Sequence, residues 1–277
     1  MACIKSAVRT LRFCLAFLIA AVAPGAITES DAPSIIKRSV VAINTDWDEA
    51  PKYAFLERDT GSKTGGEPKT YQVTMIDGSP YRRLIAIDDR PVSLAVQANE
   101  ERKLTAEIGK RRRESLQERA RRIEKYKNER AQDQVMMQEM AEAFSFHPAG
   151  EETVDGHRCW VFEAEPKRGY QPVRRESKVL VGMRGRLWID EHQYQWVKVE
   201  AEVFKTVSFY GFLAKVGPGT RFELEQEPVA NGLWLPKHFL MRVSASALGF
   251  IDESRSEDET YRDYRPVAAV SAQVHNR

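Results

Sequence analysis

From Glu151 to Tyr264, apolar and charged side chains alternate with a period of two, and tight-turn dipeptides interrupt the alternation. Val197, Val199, Ala201 and Val203 alternate with Trp196, Lys198, Glu200 and Glu202, and Phe222, Leu224 and Gln226 with Arg221, Glu223 and Glu225. Successive side chains of a strand point to opposite faces, so the pattern specifies strands with one apolar and one charged face. Asp155-Gly156 and Asn231-Gly232 are hairpin signals, because the favoured two-residue turn needs positive φ at both positions. The strands expected are Glu152–Val154 into His157–Glu163, Ser177–Met183 turning at Arg184-Gly185 into Arg186–Asp190, Gln195–Phe204, Thr220–Glu227, Trp234–Ser246 and Tyr261–Tyr264. They make an antiparallel meander of eight or more strands.

The preceding half is mixed. Pro33 suits a first helical turn, and Ile35, Ile36, Val40 and Ile43 recur at helical spacing, which predicts a helix from Asp31 to about Asn44. Three short β-rich runs follow, at Tyr53–Phe55, Tyr71–Met75 and Leu84–Ile87, the last two joined at Asp77-Gly78. Residues 93–144 then contain no Pro and one Gly, and Glu, Arg, Lys, Ala and Gln dominate, so this stretch is helical. A straight helix of some 50 residues would be about 75 Å long. A break into two pieces, or a projecting hairpin, is therefore expected.

Lys5, Arg9 and Arg12 precede an apolar run, Phe13–Val22, and small residues Ala23-Pro-Gly-Ala26. This is the pattern of a secretory signal with cleavage after Gly25; the competing reading is a retained anchor, for which the run is short. Without residues 1–25 the chain carries 39 basic and 40 acidic residues, which excludes nucleic-acid binding by overall charge. Only Cys159 remains as a thiol, so the fold rests on its core rather than on an internal disulfide.

The signal, the early helix, the hairpins, Gly185-Arg-Leu-Trp-Ile-Asp190 and Trp234-Leu-Pro-Lys-His238 together resemble the LolA/LolB-type lipoprotein-carrier superfamily of envelope proteins. The resemblance spans Ile35 to Pro266 apart from most of the helical block. It implies an α+β fold: a strongly curved antiparallel half-barrel with helices on its concave side, here with a long charged helical insertion. The latch arginine of the carriers has no counterpart that the sequence identifies. The organisation expected is a signal at 1–25, first helix and strands at 33–92, charged insertion at 93–146, main sheet at 147–268 and a tail at 269–277.

One apolar sheet face must be covered by helix, ligand or partner, because burial contributes about 25 cal/mol per Å². Val73, Met75, Phe162, Leu187, Ile189, Val197, Val199, Val203, Phe222, Leu224, Phe239, Met241 and Val243 are the candidate lining of an apolar cavity for acyl chains; a solid core is the competing reading. In the helical block, Glu100–Arg130 carries twelve basic and seven acidic residues. Lys110, Arg111, Arg112, Arg113, Arg119, Arg121, Arg122 and Lys125 are candidates for docking to an anionic membrane surface or an envelope protein, against the plainer reading of a solvated helix laced with i,i+4 pairs.

The sequence has no nucleophile elbow, phosphate-binding loop or zinc-binding His-Glu-x-x-His. The five histidines are scattered, Cys159 reads as a buried inert thiol, and Asp88-Asp89 and Asp252-Glu253 read as solvated turns. No catalytic residue, metal or cofactor is assigned. The function expected is a non-catalytic periplasmic or envelope carrier or sensor of lipid or lipidated protein, and nucleic acid is not among the partners. The alternative is an interaction module in which the basic block is the docking surface.

Overall fold

The structure, a computed structural model, describes residues 27–209, 214–230, 232–247, 251–252 and 254–267; the expected signal and tail lie outside them, as do Asn231 of one hairpin signal and Glu253 of one acidic pair. The elements are α1 (Ala32–Glu49), β1 (Tyr53–Asp59), β2 (Lys69–Ile76), β3 (Ser79–Ile87), β4 (Arg90–Pro91), α2 (Leu94–Arg112), α3 (Leu116–Ala143), β5 (Phe144–Val154), β6 (His157–Pro166), β7 (Met183–Asp190) and β8 (Trp196–Val203). Then come β9 (Val207–Phe209), β10 (Ala214–Val216), β11 (Arg221–Ala230), β12 (Leu233–Val243), β13 (Ala245–Ala247), β14 (Ile251–Asp252) and β15 (Arg255–Pro266). The protein is α+β. Eleven antiparallel strands form one open sheet in the order β4-β3-β2-β1-β15-β12-β11-β8-β7-β6-β5, and β14-β13-β10-β9 form a small second sheet. No helix among the described residues is long and apolar enough to cross a membrane.

This order explains the helical block. The chain enters the sheet at β1, builds outward to the edge strand β4, and must then reach the opposite edge at β5. The two helices make that crossing. Ten strand spacings span about 48 Å, and the 28 residues of α3 cover about 42 Å. The expected break falls at 113–115, where Ser115 and Glu118 form a reciprocal capping box at the start of α3.

The junction is fastened to the β2–β3 hairpin. Arg111, only 7% exposed, donates from Nη1 to the carbonyls of Ile76 (2.7 Å) and Ser79 (2.9 Å) and from Nε to Glu107 (2.7 Å). Arg122 chelates Glu114 and donates to Ser79 Oγ (2.7 Å) and the Asp77 carbonyl (3.2 Å). These two arginines, docking candidates in the sequence, donate to carbonyls at the closed end of that hairpin. An ammonium group cannot reproduce the planar fork. Arg111→Lys is therefore expected to cost about 1.5 kcal/mol, read as a lowered urea midpoint; an unchanged midpoint would show the fork to be dispensable.

α1 packs Ala32, Ile35, Ile36 and Ile43 onto Phe162, Leu187, Ile189 and Trp196 of the sheet. Ser39, fully buried, ties the two layers, donating to the Ile36 carbonyl and accepting from Trp196 Nε1 (2.9 Å each). The helix runs five residues past its expected end. Its polar last turn is held by α3, where Arg130 donates to the Trp47 carbonyl and lies over the Trp47 ring.

Two strand assignments are corrected. Residues 176–182 form a 3₁₀ helix rather than a strand, and β7 runs unbroken through Arg184-Gly185, which is no turn. Gly185 serves close approach: a Cβ there would lie 2.4 Å from the Glu200 carbonyl oxygen. The Asp77-Gly78 and Asp155-Gly156 turns form as expected, with φ of 45° and 90°, and 49° and 85°.

Candidate apolar face and its acidic rim

Register places the candidate lining on faces. Leu187 pairs with Val199, Val199 with Leu224 and Leu224 with Phe239, so these four form one row across β7, β8, β11 and β12. Ala201, Phe222 and Met241 form the next row. α1 buries the β6–β7 end of this face, where Phe162, Leu187 and Ile189 are solid core and Val199 packs at the margin. Val203 belongs to a second core with Ala143, Phe144, Leu180 and Met183. Beyond the helix, Phe222, Leu224, Phe239 and Met241 are half-buried and belong to none of the three buried clusters. The Phe222 and Phe239 rings meet edge to face at 5.4 Å.

Val197 departs from the expected alternation. A register shift opposite Trp188–Ile189 turns Trp196 toward α1 and Val197 into a third cluster with Cys159, Val161, Trp188 and Trp234. A bulge places two residues against one and so re-aims side chains on either side of it.

The open apolar rows end on carboxylates. On β15, Glu259 stands opposite Phe239 and Glu257 opposite Met241. Beside them on β1 lie Glu57 and Asp59, both buried, and ligand atoms of Glu57, Asp59 and Glu259 all fall within 4.8 Å of one another. The chain supplies partners: Arg82 donates to Glu57, Tyr261 to Glu259, the Gly61 amide to Asp59 Oδ1 (2.8 Å), and Lys63 pairs with Glu257. Burial nonetheless pushes the Glu57 carboxyl up to about 7, with Arg82 opposing and Glu259 and Asp59 reinforcing the rise. Val73 and Met75 lie on β2 beyond this acidic strip, Val73 opposite Phe55, whose ring touches Tyr261 and Tyr264. Val243 is half-buried at the other end, opposite Arg255. The candidate lining thus divides into a helix-covered core, an open apolar patch and a separate β2 group.

The acidic strip escaped the sequence reading, although a signal existed. Glu57-x-Asp59 and Glu257-x-Glu259 each set two acids two residues apart, hence on one face of a strand.

A hollow of about 480 Å³ is lined by Glu163, Arg186, Glu200 and Glu223 and by Glu165, Arg184, Glu202 and Arg221, together with Ala164, Gly185, Ala201 and Phe222. Charged side chains from β6, β7, β8 and β11 supply most of its lining. Cys159 is fully buried; its Sγ donates to the His157 carbonyl (3.4 Å), and burial, with Asp190 adding, pushes the thiol up to about 12. That environment suppresses the thiolate a nucleophile needs.

Of the other basic candidates, Lys110, Arg112, Arg113, Arg119, Arg121 and Lys125 are exposed. They lie on α2, α3 and the junction between them.

No family profile matches the sequence, and no curated protein shows significant similarity to it. Solved structures similar to the chain include an outer membrane lipoprotein-sorting protein domain from Vibrio parahaemolyticus (10% identity, 83% of this chain and 92% of that one, TM-score 0.30). A DUF1329 family protein from Desulfovibrio piger (11%, 87% and 94%, TM-score 0.31) and a LolA superfamily protein from Nitrosomonas europaea (12%, 86% and 93%, TM-score 0.28) are similar at the same level.

Proposed function

We propose that the chain is an exported, non-catalytic envelope carrier or sensor that holds an acyl chain of a lipid or lipidated protein. The seat is the open part of the apolar face, with the sheet bending as a half-barrel around it. The observation that carries this reading is the half-buried set Phe222, Leu224, Phe239 and Met241, contiguous across β11 and β12 and outside every buried cluster. Apolar surface gains about 25 cal/mol per Å² when covered, and these four side chains are only partly covered. The acidic strip gives the seat a polar end.

Native mass spectrometry of the full chain, purified gently from cell envelopes, should show a bound lipid. The double variant Leu224→Gln, Phe239→Gln should lose it and should bind a fluorescent fatty acid at least tenfold more weakly, at about 1.4 kcal/mol per tenfold. Its melting temperature should be little changed, since both side chains are outside the core. A lipid-free wild type that binds no fatty acid would overturn the reading.

A further inference from the structure

The turn from α2 into α3 holds seven basic residues between Lys110 and Arg122. Two are spent internally. Arg111 and Arg122 grip the β2–β3 hairpin, and Ile123 presses on its tip so closely that a Cβ on Gly78 would lie 2.9 Å from Ile123 Cδ1. The corner is therefore fixed on the sheet rather than loose. The other five basic residues face water. Lys110 and Arg119 reach carboxylates only at 3.9 and 4.0 Å, and the side chains of Arg112, Arg113 and Arg121 make no hydrogen bond or ion pair among the described residues. At the same corner the first residue of α3, Leu116, is 88% exposed, the most exposed of the large apolar side chains described.

We propose that this corner docks on an anionic phospholipid bilayer. Leu116 would enter the boundary between headgroups and acyl chains, and Lys110, Arg112, Arg113, Arg119 and Arg121 would engage the lipid phosphates. The combination is what commits the surface to a bilayer. A polyanion in solution gains from the cations and has no use for a bare leucine, whereas stable interfacial binding needs both an apolar insertion and a basic patch. The clamp on the hairpin presents the two together without an ordering cost at contact. This docking is independent of any ligand on the apolar sheet face.

The test is co-sedimentation of the full chain with phosphatidylcholine vesicles containing or lacking phosphatidylglycerol. Binding is expected only with the anionic lipid. Each basic residue near such a surface contributes about fivefold in affinity, so Arg112→Ser combined with Arg113→Ser should weaken binding roughly 25-fold. Leu116→Gln should weaken it as well, and Leu116→Trp should bind and show a blue-shifted emission on the vesicles. The Leu224→Gln, Phe239→Gln variant should bind vesicles like the wild type, which separates this proposal from the carrier reading. Absence of anionic-lipid binding would overturn the proposal. So would binding that ignores Leu116 and is matched by heparin, which would assign the corner to a soluble polyanion.

Discussion

Gly185→Ala is expected to destabilise the protein by about 3–4 kcal/mol, at or just beyond the upper end of ordinary overpacking. The added methyl would sit 2.4 Å from the Glu200 carbonyl oxygen and 3.2 Å from both Cα and Cβ of Ala201, where comfortable contacts are about 3.5–4.0 Å. None of these neighbours is the free end of a flexible side chain. Gly185 pairs with Ala164 on one side and Ala201 on the other, in the interior of an eleven-stranded sheet, so relief requires β7 and β8 to separate and give up ladder bonds. At this chain length 1 kcal/mol moves the melting temperature about 2–4 °C, and the shift should be roughly 6–16 °C downward. Gly217→Ala is the control: the nearest atom to its Cβ is Thr206 Oγ1 at 3.5 Å, an ordinary contact. Equal melting temperatures for the two variants would show that the strands yield freely at Gly185.

Gly185 also shows where sequence reading stops. Asp77-Gly78 and Asp155-Gly156 were legible because their backbone demand is local: both turn residues take positive φ, which Gly and Asp tolerate. The glycine of Arg184-Gly185 looks the same in one dimension, yet its reason is a neighbouring strand that belongs to a different part of the sequence. The bulge that re-aims Val197 has the same non-local origin, since it appears only in the pairing of β8 with β7. The helices were legible as helices from composition. Their role as the crossing between the two sheet edges depends on strand order, which alternation does not encode. Of the candidate site, the apolar rows on β11 and β12 were legible from period-two alternation. Their division from Val73 and Met75 was not, because β15 returns to lie beside β1 and brings Glu259 against Glu57 from 202 positions away.

That meeting of distant acids predicts an unusual pH dependence. Glu57 faces Asp59 on its own strand, Glu259 and the Glu259-bound Tyr261 on β15, and Arg82 on β3, whose guanidinium also covers the Tyr71 ring at 4.2 Å. Its carboxyl moves from the usual 4.5 to about 7, with burial as the leading cause. A carboxyl with a raised folded pKa makes the folded state bind the proton more tightly than the unfolded chain. Its contribution to stability is complete below pH 4.5 and is lost as pH rises through 7. At 1.36 kcal/mol per unit the loss is on the order of 3 kcal/mol. Asp46, raised to about 6 mainly by burial, acts in the same direction over a lower range. The carboxyls held low by their partners, Glu139 with Ser177, Tyr170 and Val173 among them, lose their contribution only as pH falls below the ordinary carboxylate range. Between pH 5 and 7, therefore, the urea midpoint of the wild type should fall as pH rises. Glu57→Gln keeps an acceptor for Arg82 and removes the buried charge, so it should flatten most of that slope and be at least as stable as the wild type at pH 8. If the variant instead retains the full slope, or is markedly less stable at pH 8, then Arg82 already neutralises the strip and the three carboxylates are held ionised together.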